Sequence, residues 1–152
     1  MSNEIYPPIE NLLPHGGVML FIDAIKRVDG QRLRAVAKPK RDAWYADGDG
    51  NMPAWVGIEL MAQAIAAYVG YAKWRKGEPT RMGFLLGTRK YSVTIPVFPA
   101  DTILDVVVDE VYREPSGLGA FDCFIELNGV RVAEATVKAF EPENPQQFLQ
   151  TQ

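Results

Sequence analysis

The chain has 152 residues, of which 47% are hydrophobic and 11% aromatic, and its formal net charge is −3. These values suit a single domain over residues 1–152 with a packed core, and they exclude a protein that binds nucleic acid through a broad basic surface. Cys123 is the only cysteine and His15 the only histidine. An internal disulfide and a cysteine-based zinc cluster are therefore excluded, and no metal site is predicted.

The amino-terminal segment, residues 1–17, reads MSNEIYPPIENLLPHGG. It lacks the basic stretch followed by an apolar stretch that marks a secretory signal peptide, so we expect a cytoplasmic protein. His15 lies between Pro14 and a pair of glycines, where the chain can turn sharply. Because an imidazole titrates near neutral pH, His15 is a candidate proton-transfer group. The alternative is a hydrogen bond to a backbone carbonyl that fixes this turn.

The next segment predicts a β-hairpin. Two extended runs, VMLFIDAIKRV and QRLRAVAKPK, are separated by Asp29-Gly30, a dipeptide favoured in tight hairpin turns. The stretch YADGDGN that follows resembles the start of a calcium-binding loop, but it has no glutamate at the required offset. We therefore interpret it as a plain loop.

Residues 52–74, MPAWVGIELMAQAIAAYVGYAKW, form the longest apolar run, and Glu59 and Gln63 interrupt it. A carboxylate at its centre argues against a membrane span. Pro53 suits the first turn of a helix, and the basic cluster with a glycine and a proline after it suits the last turn. The sequence predicts a buried helix from about Pro53 to Lys76.

Glu59 and Gln63 lie four residues apart and hence on one face of this helix. An acid in an apolar setting can both give and take a proton near neutral pH, so Glu59 is the candidate catalytic group. The alternative is an acid that is hydrogen-bonded for structure alone. Gln63 is a candidate to hold Glu59 or to contact substrate, or it is a core amide. The first N–H groups of the helix, at Ala54 and Trp55, are expected to be unpaired and free to bind an oxyanion.

Four further strands are predicted after the helix, in RMGFLLGTRKYSVTI, TILDVVVDEVYRE, LGAFDCFIELNG and VRVAEATVKAF, with turn signals that include Asn128-Gly129. An antiparallel sheet of about six strands wrapped around the single helix would bury it on most sides. One helix flank and one sheet edge would remain exposed, so we expect an oligomer. The tail from about residue 142 is polar. Gly87 either allows a substrate arm to approach closely or marks a β-bulge.

Three segments, LLPHGGVMLFIDAI, MPAWVGIELMAQA and FLLGTRKYSVTIPVFPADT, resemble in this order the FabA/FabZ-type 3-hydroxyacyl-[acyl-carrier-protein] dehydratases. Over nearly the whole chain the sequence is similar to the ApeP-like branch associated with aryl polyene synthesis. The resemblance implies an α+β protein with the hot-dog fold, in which an antiparallel sheet wraps around one long hydrophobic helix.

The resemblance also implies an activity, the dehydration of 3-hydroxyacyl thioesters to trans-2-enoyl thioesters. The substrate is carried on the phosphopantetheine of an acyl carrier protein, and no cofactor is implied. The acidic residue of the central helix is catalytic in the family, and Glu59 stands at that position. The family usually adds a histidine from the loop ahead of the helix, but the loop here, DAWYADGDGNMP, has none. His15 is the residue left to take that role.

The resemblance implies an acyl carrier protein as a partner, with no membrane and no nucleic acid. The expected assembly is a homodimer or a heterodimer with another hot-dog subunit. The aromatic residues Trp44, Tyr45 and Trp55 either line a substrate tunnel or belong to the core. A local basic cluster either suits docking of an acidic carrier protein or is simply a solvated helix end. Its members are Lys73, Arg75, Lys76, Arg81, Arg89 and Lys90.

Two other functions stay open. A hot-dog thioesterase would use the same acid to activate water. A non-catalytic subunit would pair with a catalytic hot-dog partner, and the missing loop histidine favours this alternative. The acyl chain length and any preference for an aryl group are open as well.

Overall fold

The structure is a computed structural model that describes residues 5–13, 17–79 and 84–141. Short 3-10 turns lie at Ile9–Asn11 and Gly17–Met19. The remaining elements, in chain order, are β1 (Ala24–Asp29), β2 (Arg32–Ala37), β3 (Met52–Pro53), α1 (Val56–Arg75), β4 (Phe84–Val93), β5 (Val97–Phe98), β6 (Leu104–Arg113), β7 (Leu118–Leu127) and β8 (Val130–Phe140).

Six of these strands form one antiparallel sheet in the order β1-β2-β6-β7-β8-β4, and β3 pairs separately with β5. The predicted sheet of about six strands is confirmed. Both predicted hairpins form as well, because Gly30, Asn128 and Gly129 adopt the positive φ angles that tight hairpin turns require.

Helix α1 begins later than predicted. Pro53 does not occupy its first turn; it lies in β3, opposite Val97, and the helix begins at Val56. A proline suits either position, and here the pairing with β5 keeps it extended. The helix ends at Arg75, with Lys76 as its C-cap and Gly77 at a φ of 72°, as the sequence predicts.

The core forms where α1 packs on the inner face of the sheet. Leu60, Met61 and Ala64 of the helix are fully buried, as are Val106 of β6 and Ile125 of β7. These side chains meet because α1 lies across β6, β2, β7 and β8. The helix is therefore fixed against the middle of the sheet.

The amino-terminal residues 5–13 and 17–22, which we call the strap, run over a flank of α1 that the sheet leaves open. Leu12 is buried, and a Cβ at Gly70 would collide with the Leu12 carbonyl oxygen. The ring of Tyr6 meets that of Tyr71 edge-on, with centroids 5.4 Å apart. The chain itself thus covers part of the flank for which we expected a second subunit.

Another side of the helix stays partly open. Ile58, Ala62, Ala66 and Val69 are half-buried and follow one another at helical spacing. We call these four residues the apolar stripe. A search of the described residues for a helix that is both long and apolar enough to cross a membrane finds none.

Candidate functional site

Glu59 is held by the side chain one turn further along α1. The Nε2 of Gln63 donates a hydrogen bond to Glu59 Oε1 at 3.1 Å. Gln63 is fully buried, whereas Glu59 is half-buried and lies next to the apolar stripe. The carboxyl of Glu59 is therefore accessible from the surface, whereas Gln63, which orients it, is not.

The Gln63 amide also binds the strap. Its Oε1 accepts the N–H groups of Phe21 at 2.8 Å and Ile22 at 3.3 Å, and its Nε2 donates to the Met19 carbonyl oxygen at 2.7 Å. Together with the bond to Glu59, these contacts use both donors and both acceptor positions of a primary amide. Two roles were considered for Gln63, and the structure shows one of them, the hydrogen bond that holds Glu59. Direct contact between Gln63 and substrate stays a prediction.

The candidate His15 lies outside the described residues. The strap resumes at Gly17, two positions later in the chain, and is tied to Gln63 through Met19. The prediction that His15 transfers a proton stays open.

The N–H groups of Ala54 and Trp55, just before α1, were both predicted to be unpaired, and the structure differs at Ala54. The Ala54 N–H donates to the Pro96 carbonyl oxygen at 3.1 Å, so the expectation that it is unpaired is wrong: the pairing of β3 with β5 brings an acceptor to it. In the described part of the chain no backbone acceptor is paired with the Trp55 N–H, which therefore remains the candidate oxyanion donor.

Tyr91, a residue that the sequence did not single out, holds the carbonyl oxygen of Ala54. Its hydroxyl donates to the Ala54 carbonyl oxygen at 2.6 Å. Lys90 has a φ of 54°, and the pairing of β4 with β8 is irregular between Arg89 and Ser92, where Tyr91 lies. Burial raises the pKa of Tyr91 to about 12, so the hydroxyl keeps its proton at neutral pH.

Gly57 makes room for this contact. A Cβ at position 57 would collide with the Tyr91 hydroxyl and would also approach the Phe98 ring to 3.2 Å. A glycine inside an otherwise apolar helix was the available sequence signal that something packs closely there.

An aromatic cluster lies beside Gln63. The ring centroids of Phe21, Trp44 and Tyr45 are 5.3 to 6.0 Å apart, and the Phe21 N–H is the one bound by Gln63. Tyr45 is buried, while Trp44 is 55% exposed. Two of the predicted aromatic residues, Trp44 and Tyr45, thus pack against Phe21, which carries no functional signal in the sequence. Trp55, 59% exposed, lies at the start of α1.

The predicted basic cluster is only partly on the surface. Lys73 is buried and forms an ion pair with Glu141, so its prediction as a docking residue is wrong: its ammonium group is neutralised inside the protein. Arg75, Lys76 and Lys90 are exposed. Arg81 and the side chain of Arg89 lie outside the described part of the protein.

Gly87 is exposed in β4, next to an irregularity in the pairing with β8 between Leu85 and Gly87. This agrees with the β-bulge considered for it. The aspartate-rich segment is a loop, as predicted, and Asp47 Oδ1 closes it by accepting the N–H groups of Asp49 and Asn51, both at 2.9 Å. No cluster of metal-ligating side chains occurs among the residues that the structure describes.

Comparisons with known proteins agree with one another. A family model described as "ApeP-like: ApeP dehydratase" matches residues 7–150. The 3-hydroxyacyl-[acyl-carrier-protein] dehydratase FabZ of Bartonella henselae is 29% identical over 135 residues, which cover 85% of this chain and 84% of the relative. FabZ of Brucella melitensis is 27% identical and covers 84% and 82%.

Solved structures confirm the predicted hot-dog fold. A chain of the dehydratase heterocomplex ApeI:P from Xenorhabdus doucetiae superposes with a TM-score of 0.90 at 25% identity, and the match covers 97% of this chain and 98% of that chain. A hypothetical thioesterase with coenzyme A from Streptococcus pneumoniae has a TM-score of 0.59 at 16% identity, covering 77% and 83%. At that identity the likeness concerns the fold alone.

Proposed function

Because the chain belongs to the ApeP-like dehydratase family, we propose that it removes water from 3-hydroxyacyl thioesters carried on acyl carrier protein, in biosynthesis of the fatty-acid or aryl-polyene type. The observation that carries the proposal is the half-buried Glu59 carboxyl, held in place by Gln63 on the central helix. The FabZ relatives are named for this reaction.

The reaction needs two proton transfers and one site for negative charge. A base takes the proton from the carbon beside the thioester carbonyl, and the electrons of that C–H bond form the double bond. The C–O bond to the 3-hydroxyl then breaks, and the hydroxyl leaves as water after it receives a proton from an acid. A donor at the thioester oxygen stabilises the charge that develops during proton removal.

Glu59 is the proposed proton-transfer group. Its carboxyl lies beside the apolar stripe, so an acyl chain can approach over apolar side chains. The aromatic cluster of Phe21, Trp44 and Tyr45 lies on the side of Gln63 that binds the strap. Together these surfaces suit a hydrophobic acyl group next to a single acid.

The Trp55 N–H is the proposed donor to the thioester oxygen. It lies at the start of α1, where backbone N–H groups lack partners within the helix, and the helix dipole favours negative charge there. The N–H of Ala54 is bound by Pro96 and its carbonyl oxygen by Tyr91. Because that carbonyl and the Trp55 N–H belong to one peptide group, the direction of the Trp55 N–H is fixed as well. Gly87 is proposed to leave room for the pantetheine arm.

His15 is the proposed second proton-transfer group. It supplies an imidazole in a chain whose loop ahead of the helix has no histidine. The support for its proximity is that the strap just after it is tied to Gln63, which also holds Glu59.

We also propose that the protein works as a dimer, either with a copy of itself or with another hot-dog subunit. The apolar stripe is only half-buried in the single chain, and β4 is an edge strand of the sheet. The similar Xenorhabdus doucetiae chain belongs to a heterocomplex. The acidic carrier protein is proposed to dock on the exposed Arg75, Lys76 and Lys90.

A second candidate is a subunit that needs a catalytic partner. The loop without a histidine favours it, because the partner would then supply the missing group. The thioesterase alternative has the support of fold likeness alone.

One assay separates these functions. The isolated protein is incubated with 3-hydroxyacyl carrier-protein substrates, and enoyl product and free acid are both measured. Enoyl product supports the dehydratase, free acid supports a thioesterase, and no product from the protein alone supports the subunit.

We expect the variant Glu59→Gln to keep its fold and to lose turnover, because the amide has nearly the same size but does not exchange a proton in this pH range. Turnover is measured with the same substrate, and folding is checked by thermal melting. Wild-type turnover in the folded variant would remove Glu59 from the mechanism.

A further inference from the structure

Three residues of α1 lie in line along the helix, each seven positions after the one before: Glu59, Ala66 and Lys73. Seven residues make almost two turns, so the three share one side of the helix. The proposed proton-transfer group lies at one end of this line, and a buried ion pair, of Lys73 with Glu141, lies at the other. We propose that this ion pair ends the path of the acyl chain and so sets the longest substrate that the protein accepts. The proposal rests on the proposed function, because it takes Glu59 as the reacting end.

The surface between the two ends of the line forms a groove next to the strap. Ala66, in the middle, is half-buried and belongs to the apolar stripe, so the floor of the groove is apolar and carries only a methyl group. The strap runs beside it as a wall, since the Leu12 carbonyl oxygen lies against Gly70. A second subunit bound to the apolar stripe would cover the groove and make it a channel for a hydrocarbon chain.

Lys73 closes the far end of the groove. Helical side chains lean toward the N-terminus of their helix, so Lys73 covers the turn before it, where Val69 ends the apolar stripe. The Lys73 side chain is only 11% exposed and that of Glu141 only 15%. A hydrocarbon chain that follows the line from Glu59 therefore meets two paired charges.

The position of Glu141 is fixed by its backbone. Its N–H donates to the Gly117 carbonyl oxygen at 3.0 Å, and a Cβ at Gly117 would collide with the Glu141 carbonyl oxygen. Gly117 has a φ of 104°, which glycine adopts readily and other residues rarely do. The turn between β6 and β7 thus holds the Glu141 backbone in place, and Lys73 meets a carboxylate on a fixed support.

The ion pair resists an incoming chain more strongly than burial of a few methylene groups favours it. Moving Lys73 away from Glu141 would leave two buried charges without partners, and this cost exceeds that gain. Glu59 and Lys73 are about 21 Å apart along the helix axis, and the Lys73 side chain covers about 5 Å of this distance. The rest of the groove holds an extended chain of about 12 methylene groups.

A series of 3-hydroxyacyl substrates of increasing chain length tests the proposal. For the wild type we expect kcat/KM to rise with length and to fall by about 10-fold or more once the chain passes the limit. Lys73→Ala/Glu141→Ala removes both charges together, so no unpaired ion is left. The maximum should then move to chains longer by about two to four carbons, because the shortened side chains free most of one helical turn. An unmoved maximum would overturn the proposal.

Lys26→Ala/Asp105→Ala is the matched control. It also removes an ion pair of a lysine with a carboxylate, but the pair lies on the sheet, between β1 and β6. Its maximum should stay at the wild-type chain length. A maximum that moves equally in both double variants would reflect a general loss of stability and would also overturn the proposal.

Ala66→Leu serves if Lys73→Ala/Glu141→Ala does not fold. Ala66 is half-buried and leucine is a good helix former, so this change suits the helix. The larger side chain obstructs the groove about 10 Å from Glu59, and the longest accepted chain should therefore become shorter. An unchanged limit would show that the acyl chain does not follow this line.

A binding measurement separates failure of this proposal from failure of the proposed function. Acyl-pantetheine amides of the same chain lengths bind without reacting, and calorimetry gives their Kd. A length limit that moves in Lys73→Ala/Glu141→Ala, in a protein without dehydratase activity, would support the ion pair as the limit and reject the function. Dehydration with a length limit that is the same in wild type and variant would keep the function and reject the ion pair.

Discussion

Both backbone polar groups of Ala54 are occupied, since its N–H donates to Pro96 and its carbonyl oxygen accepts the hydroxyl of Tyr91. The residue that fixes the proposed oxyanion donor is thus a tyrosine on β4, far from Trp55 in sequence. A single hydroxyl at this position links the strand that follows the helix to the point where the helix begins.

The Tyr91 hydroxyl makes stability depend on alkaline pH. Burial raises the pKa of Tyr91 to about 12 from the ordinary tyrosine value of 10.0. A group whose pKa is raised in the folded state contributes its full stability below the unfolded value, and the contribution is lost as pH rises through the folded value. We expect the stability advantage of the wild type over Tyr91→Phe to shrink as the pH rises from 10 toward 12.

Urea unfolding of the two proteins at several alkaline pH values measures this difference. Tyr68, whose pKa is also raised to about 12, is present in both proteins, so its effect cancels in the comparison. Near neutral pH, the loss of the hydrogen bond should cost about 0.5–1.5 kcal/mol. A constant difference across this pH range would mean that the Tyr91 hydroxyl is not held as described.

The proposed role of His15 in proton transfer rests on the sequence alone, because His15 lies outside the described residues. If it transfers a proton, His15→Asn should reduce turnover by about 100-fold or more with an unchanged melting temperature, because asparagine keeps hydrogen bonding but does not titrate near neutral pH. Full turnover in this variant would leave Glu59 acting without it, or a partner subunit that supplies the imidazole.

At the scale of the element, α1 is shaped by what it packs against. Gly57 faces Tyr91 and Phe98, and Gly70 faces Leu12 of the strap. In an open helix either glycine would be improved by alanine, since glycine is a poor helix former. In this helix the close contacts reverse that preference.

We expect Gly57→Ala to destabilise the protein by about 1–3 kcal/mol, because the added methyl group collides with the Tyr91 hydroxyl. Gly48→Ala is the control, since nothing lies within 4 Å of a Cβ there. In the Tyr91→Phe background the cost should be smaller, and denaturant unfolding of the four proteins gives the coupling. An equal cost in both backgrounds would show that the hydroxyl is not the obstacle.

Local sequence signals predicted the elements, and contacts distant in sequence decided the details. The hairpins follow from dipeptides that accept positive φ angles, and the shared face of Glu59 and Gln63 follows from their spacing. Pro53 was misplaced because proline suits both a helix start and a strand, and pairing with Val97 decided between them.

In the candidate site, too, local features could be predicted from the sequence and long-range contacts could not. The acid and its amide could be predicted because both lie on one helix. The partners of that amide in the strap, the contact from Tyr91 to Ala54 and the pairing of Lys73 with Glu141 could not. Each of these joins segments whose proximity exists only after folding, and no periodicity or turn signal encodes it.

At the scale of the whole molecule, the apolar stripe and the edge of β4 predict an assembly. Light scattering of the wild type at micromolar concentration should give twice the 16.9 kDa mass of the chain, or a larger multiple, if it pairs with itself. A monomer would leave pairing with a different subunit as the remaining form of the dimer proposal.

Val69→Asp tests which surface pairs. It places a charge on the apolar stripe, and a charge that must be buried without a partner is costly. We expect this variant to be monomeric. Val111→Asp makes the same substitution at a residue that is 54% exposed on β6 and should keep the wild-type mass. If both variants keep it, the stripe is not the interface.

The strand order affects the order in which parts of the protein fold. Among the described residues, β4 pairs with β8 alone, although β5, β6 and β7 lie between them in the chain. During synthesis β4 is made well before its partner β8, which is the last strand in the chain. The strand that carries Tyr91 therefore cannot join the sheet until nearly all the other strands have been made. The start of α1 should therefore be among the last parts to become rigid, and the proposed site should mature later than the core that surrounds the rest of the helix.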